Sequence, residues 1–275
     1  MKWLAVKISG LRHITRNESD SSRPHLNRGS SKRWTLMNDH NKATNENGPV
    51  YLPMTQETVQ AFDGIVSSFE ELAATALLTL HMEIRCEIIY SLRTALSTDT
   101  APYLLDQEVT EPDPQILTLN SDLVLYDETI ARYLRAKETA FIRTGLGLLI
   151  NAYLVTNAAF VSPMNAKGCG RMQLNILVLQ QNLKNVEEGV DLARASNYFA
   201  LFDKGPDAIV EKAREDKDKD EHADPADTFG YEELRTLLEL CFSEQLANPE
   251  RGIASAAKRQ MADKMLGLSE HMWQT

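Results

Sequence analysis

Cysteine is scarce and poorly placed for pairing: Cys86, Cys169 and Cys241 are odd in number, far apart and without C-x-x-C or histidine-partner spacing. That excludes a disulfide framework, and the three read as reduced core thiols of a cytosolic protein. Histidines are six and dispersed, and no nucleophile stands beside a usable base. The glycine pair around Cys169, Gly168 and Gly170, resembles the surroundings of some nucleophiles, but small residues that allow close helix packing explain the same letters. Gly145 and Gly147 lack the Gly-Lys-Ser/Thr ending of a phosphate loop. The charged run Glu215 to Asp227 lacks the glycine and terminal glutamate of a calcium loop. The apolar start, MKWLAVKISG, is broken by Lys7 and falls far short of an export signal. No catalytic, cofactor-binding or metal-binding residue is therefore assigned; neither enzyme activity nor a small-molecule ligand is expected.

Aromatic residues make up only 7% of the 275-residue chain, against 43% apolar and 25% charged residues, the balance of an ordered helical protein. Eight of the 29 basic residues and three of the 39 acids lie in the first 40 positions, leaving 21 bases against 36 acids. The arm is near +5 and the body near −15, so nucleic acid is not expected as a partner.

Regular structure is announced by spacing. Met172, Ile176, Leu179, Leu183 and Val186 recur at steps of four and three, with Val190 and Ala193 continuing the series and Leu174, Leu177 and Val178 widening it; this predicts a mostly buried helix. Val59, Phe62, Val66, Phe69, Ala73, Ala76, Leu80, Ile84 and Ile88 predict one helix of around forty residues ending near Leu96, with Thr55 as its N-cap. His81, Glu83, Arg85 and Cys86 within it read as an ordinary charged flank, because residues two apart on a helix face away from each other. Tyr103, Leu104 and Leu105 are expected to pack back onto the bundle. A second long helix begins at Ile116 and is expected to run, kinked near Gly145 and Gly147, to Phe160. Nothing charged occurs between Arg143 and Lys167, a length that would span a bilayer, yet Thr144, Asn151, Thr156, Asn157, Ser162 and Pro163 favour a buried bundle helix. Gly205-Pro206 reads as a helix stop followed by a helix start. Two last helices are expected, from Tyr231 to Ala247 and from Glu250 to Leu266.

The helix 171–186 carries an oddity, the triplet Gln180-Gln181-Asn182 within its apolar run. A buried amide without a partner costs about 1–3 kcal/mol, so the triplet either turns outward or clamps a neighbouring helix. We take the clamp as the expectation, with Gln181 contributing near 1 kcal/mol. The run NILVLQQNLKNV, with FIRTGLGLLINAYLVTNAAF before it and Asn197 to Phe202 after it, closely resembles the C-terminal region of the exocyst complex component four ("secretion eight") family. PVYLPMTQETVQAFDGI (49–65) and SKRWTLMN (31–38) resemble its fungal form, and the likeness covers roughly residues 30 to 215. It implies a non-catalytic vesicle-tethering subunit built of stacked helical bundles. Its partners would be the other exocyst subunits, its association with vesicle and plasma membrane indirect, and its place cytoplasmic, peripheral at plasma-membrane sites of secretion or polarised growth. Family members also carry a long N-terminal coiled-coil region, so the chain is expected to be a fragment or a truncated gene model.

The expected organisation is an all-α, elongated antiparallel bundle. Residues 1–48 form a disordered basic linker, in which Arg28 before Ser31 and Arg33 before Thr35 suggest a phosphorylated hinge or lipid-touching arm. Residues 49–210 form a helical bundle, 211–228 a charged flexible loop and 229–275 the C-terminal helices. A free-standing helical adaptor outside exocytosis is the alternative.

Overall fold

A computed structural model of the protein describes residues 56–97, 103–218 and 225–273. Every regular element among them is helical, with no strand and one isolated bridge between Tyr103 and Met164. The protein is all-α. The expectations for residues 1–48 and for the Thr55 cap lie outside the described residues.

The chain divides into two compact units, residues 1–80 and 81–275. Helix α1 (Gln56–Leu96) has 41 residues, as its stripe predicts. In the first unit Val66, Phe69, Ala73, Ala76 and Leu77 are half-buried while Ile65 and Leu72 are exposed. In the second, Ile84, Ile88, Leu92, Ala95 and Leu96 are buried.

The second unit continues with α2 (Pro114–Tyr133), whose Ile116, Leu119, Leu123 and Ile130 are buried. Its start is fixed by Asp113, a side-chain acceptor for the Gln115 N–H at 2.8 Å, with Pro114 at the position where a missing N–H costs nothing. The single helix expected from Ile116 to Phe160 is instead three helices and a 3₁₀ turn: α2, α3 (Ala136–Arg143), α4 (Leu146–Thr156) and Ala158–Val161. Leu134 and Arg135 are extended, and the freed Arg135 N–H is taken by the Glu138 carboxylate at 3.0 Å. Arg143 then grips Asp127 through two hydrogen bonds of 2.5 and 2.8 Å, holding α3 back against α2. The second break falls at Gly145, whose φ of 83° is open to glycine at little cost. The uncharged run thus contains no continuous spanning helix. Residues 136–156 together have the length and hydropathy to cross a membrane, but Leu146, Ile150, Asn151, Leu154 and Val155 are buried within the unit, as the bundle-helix reading requires.

Helix α5 (Ala166–Leu183) is capped by Asn165, which accepts from the Gly168 N–H at 3.0 Å. Its stripe is buried where expected, at Met172, Ile176, Leu179 and Leu183, but the row meant to widen it is half-buried at Leu174 and Val178 and exposed at Leu177. The helix also stops at Leu183, so Val186 and Val190 enter the core from the following connection rather than from α5. Helix α5 packs on α2 and on α6 (Ala193–Lys204), which in turn meets α4. Tyr198 of α6 sits edge-on to Phe199 and Phe229, with ring centroids 5.3 and 5.4 Å away.

Gly205, at φ 87°, ends α6, and Pro206 opens α7 (Pro206–Asp218), as the dipeptide predicts. Much of the loop expected over 211–228 is structured. Residues 211–218 complete α7, and Pro225–Asp227 is a 3₁₀ turn. The ordering group is Lys212, buried between Asp216 at 3.0 Å and Asp227 at 2.9 Å; two carboxylates offset the desolvation of one ammonium. Helices α8 (Tyr231–Leu246) and α9 (Arg251–Trp273) pack as a hairpin, and α9 also lies on α7. Leu179 is 0% exposed. Leu179→Ala, and equally Leu183→Ala, should lower stability by about 2–5 kcal/mol in a denaturant titration.

Candidate functional site

Helix α5 presents polar side chains at both ends, and each set completes the backbone of a neighbouring segment. At the N-terminal end Asn175, 2% exposed, accepts from the Asp113 N–H at 2.8 Å. The Asp113 carboxylate in turn accepts from Arg171 at 2.9 Å, in a pair whose side chains are 13% and 2% exposed. Arg171 lies 5.9 Å from the centre of the Tyr103 ring, and the Tyr103 hydroxyl donates to the Ala95 carbonyl at 3.0 Å. Burial, reinforced by the Asp113 carboxylate, pushes the Tyr103 phenol above its ordinary value, so it remains a donor. This set joins the end of α1, the strand-like Tyr103, the start of α2 and α5. The same neighbourhood requires Gly168: a Cβ there would stand 1.8 Å from the Tyr103 carbonyl oxygen.

At the C-terminal end the triplet separates into two partners and one bystander. Gln180 donates to the Val190 carbonyl at 2.8 Å and accepts from the Leu192 N–H, fixing the connection into α6. Asn182 donates to the Asn120 carbonyl of α2 at 3.1 Å. Gln181 is exposed, which corrects the expectation that it takes part in the clamp. Asn151 of α4 completes the same connection, donating to the Asp191 carbonyl at 2.6 Å and accepting from the Ala195 N–H at 2.9 Å.

Glu187, in that connection, accepts from the amides of Gly145 and Gly147 at 2.5 and 2.8 Å and so caps α4. From α1, Arg85 donates to the carbonyls of Ile142 and Thr144 at 3.3 and 2.5 Å, closing the end of α3. A cation at a helix C-terminus and an anion at the next N-terminus are the favourable signs. Burial draws the Arg85 guanidinium below its ordinary value and Glu187 opposes this. His81 stacks on Phe141, centroids 4.5 Å apart. The charged flank of α1 is therefore not idle surface: two of its members hold α3. A Cβ on Gly147 would lie 2.1 Å from Val190, so the glycine makes room for the connection. Gly170, by contrast, has open space around it.

The cysteines differ in environment. Cys169 is buried, donates to the Phe199 carbonyl at 3.2 Å and has its thiol pushed up by burial, then by Asp203. Cys241 is pushed up to about 12, again by burial first and then Asp203. Both stay protonated near neutral pH, the unreactive form. Cys86 is exposed, which corrects its reading as a core thiol. Asn175, Glu187 and Asp113 carry no mark in the sequence, because nothing in spacing separates a satisfied buried polar side chain from a surface one; Asn151 is marked only as a polar residue within the uncharged run.

No family model matches the chain. Over its whole length it is 60% identical to the probable exocyst complex component sec8 of Neurospora crassa, and the match covers 28% of that protein. The chain belongs to the exocyst component 4 family. More distant members agree over part of the chain: human exocyst complex component 4 is 28% identical across 58% of it, and Schizosaccharomyces pombe exocyst complex component sec8 is 28% identical across 55% of it. The chain spans 16% and 14% of those two family members.

Two outcomes follow for the site. In thermal or denaturant melts Gln180→Ala should cost about 1–3 kcal/mol, because it strands the buried Leu192 N–H, whereas Gln181→Ala should stay within about 0.5. With a thiol reagent at neutral pH, Cys86 should react readily in the folded protein, half-buried Cys241 more slowly, and Cys169 only on unfolding; rapid modification of Cys169 in the native state would contradict its placement.

Proposed function

We propose that this chain is the C-terminal part of an exocyst subunit, which works with the other subunits to tether secretory vesicles to the plasma membrane before fusion. The observation that carries this is the 60% identity along the whole chain to a named fungal exocyst component. The polar sets around α5 suit that role. They spend buried amides, a carboxylate and a guanidinium on holding helices in register, a use that favours a rigid scaffold over chemistry. The chain is then non-catalytic, takes no cofactor or metal, and acts in the cytoplasm at the membrane periphery through its partners, touching vesicle and plasma membrane indirectly.

The test is affinity recovery of the tagged chain from a filamentous fungus, followed by mass spectrometry. Recovery of the other exocyst subunits in stoichiometric company supports the proposal. Clean recovery of the folded chain without them would overturn it in favour of a free-standing helical adaptor.

A further inference from the structure

Helix α9 carries a charge opposite to that of its surroundings. The chain as a whole is −10, yet α9 contains Arg251, Lys258, Arg259 and Lys264 against Asp263 and Glu270. Lys264 is committed to Asp207 of α7. Arg251, Lys258 and Arg259 are exposed and form no ion pair among the described residues. The opposite side of the helix is the one that packs, through Ala257 and Leu268, on α7 and α8.

At 3.6 residues per turn, Arg251, Ser255, Lys258, Arg259, Ala262 and Leu266 fall within about 100° of the outer circumference and extend over about 22 Å. Leu266 is 61% exposed at the far end of that strip. The pattern is therefore three unpaired cations flanking small residues, then one large apolar side chain. We infer that this strip docks an acidic amphipathic helix of a partner protein, its carboxylates on Arg251, Lys258 and Arg259 and an apolar side chain on Leu266.

Charge complementarity selects an acidic occupant, and geometry selects a helix over a lipid surface. Screening confines the attraction to about 8 Å at physiological salt. A narrow helix can lie toward the Arg251–Lys258 side of the strip, away from Asp263 and Glu270, which border its Arg259 edge. A flat anionic bilayer would meet both acids at once and the acidic body beyond them, whose repulsion offsets three positive charges. The class of partner rests on the scaffold reading, but the test below uses a peptide instead of exocyst subunits, so its failure would leave that reading standing.

The probe is a fluorescein-labelled helical peptide of about sixteen residues, long enough for the strip, with glutamates placed to face the three cations and a leucine to face Leu266. Anisotropy titration against the full chain should show binding that weakens at least about tenfold in Arg251→Glu/Lys258→Glu/Arg259→Glu. It should also weaken in about 1 M salt, where the screening length is about 3 Å. Lys137→Glu/Lys184→Glu/Lys204→Glu changes net charge equally at exposed sites elsewhere and should leave binding within about twofold. Circular dichroism checks folding, and Arg259→Glu and Leu266→Asp singly replace the triple variant if it does not fold. Absence of peptide binding, or binding that ignores these changes, overturns the inference. So does co-sedimentation with phosphatidylserine–phosphatidylcholine vesicles, lost in the triple variant, without peptide binding.

Discussion

Wherever a helix stops inside an apolar interior, its last carbonyls and the next helix's first amides need partners, and leaving them bare costs more than almost any local change gains. The second unit of this chain stops helices repeatedly, at Leu134, Gly145, Leu183 and Gly205, next to the apolar core. Its architecture depends on how those ends are satisfied. The break at Gly145 is closed from two directions, by Arg85 on the carbonyls behind it and Glu187 on the amides ahead. The passage from α5 to α6 is closed by Gln180 and Asn151, each using both halves of its amide. The start of α2 is closed by Asp113, itself held by Asn175 and Arg171. Every one of these groups comes from a different element than the end it completes, or is fixed by one that does. Local termination and tertiary register are therefore the same event.

The repeating apolar positions made much of this legible. The whole of α1, the buried stripe of α5 and helix α8 stand close to where the 3.6 period puts them, and the α6–α7 break stands at Gly205-Pro206, but α9 runs on seven residues past the expected Leu266 to Trp273. The interruption at Leu134–Arg135 left no trace, because no glycine or proline marks it; it is imposed by Glu138 and by the Arg143–Asp127 grip. The charged stretch after Glu211 looks solvated by composition, and one buried ammonium, Lys212, turns its first part into helix. The triplet at 180–182 was noticeable, but a helix rotates successive residues by about 100°. Gln180 and Asn182 accordingly reach neighbours on opposite sides, the connection into α6 and helix α2, while Gln181 between them falls on the exposed side, a division the clamp expectation did not make. Asn175 had no such flag, since one asparagine among leucines reads alike whether buried or exposed.

For a family member that spans 28% of its Neurospora relative, this arrangement has a consequence. A bundle held only by apolar stripes tolerates sliding, because one leucine substitutes for another along a ridge. Amides and carboxylates paired with particular backbone groups do not, so the helices of this unit keep a register that cannot slip. The cost is that several polar groups lie where removal of one strands another.

The most direct measurement of this central claim is native-state hydrogen exchange, read at the amides that side chains complete: Gly145, Gly147, Leu192 and Ala195. If the polar sets lock the helix ends, these four should exchange only by opening that approaches global unfolding, as buried helical amides such as Leu179 do. Exchange at the rate of the exposed turn residue Glu188 would mean that the ends fray while the apolar core stays shut, and the account would be wrong.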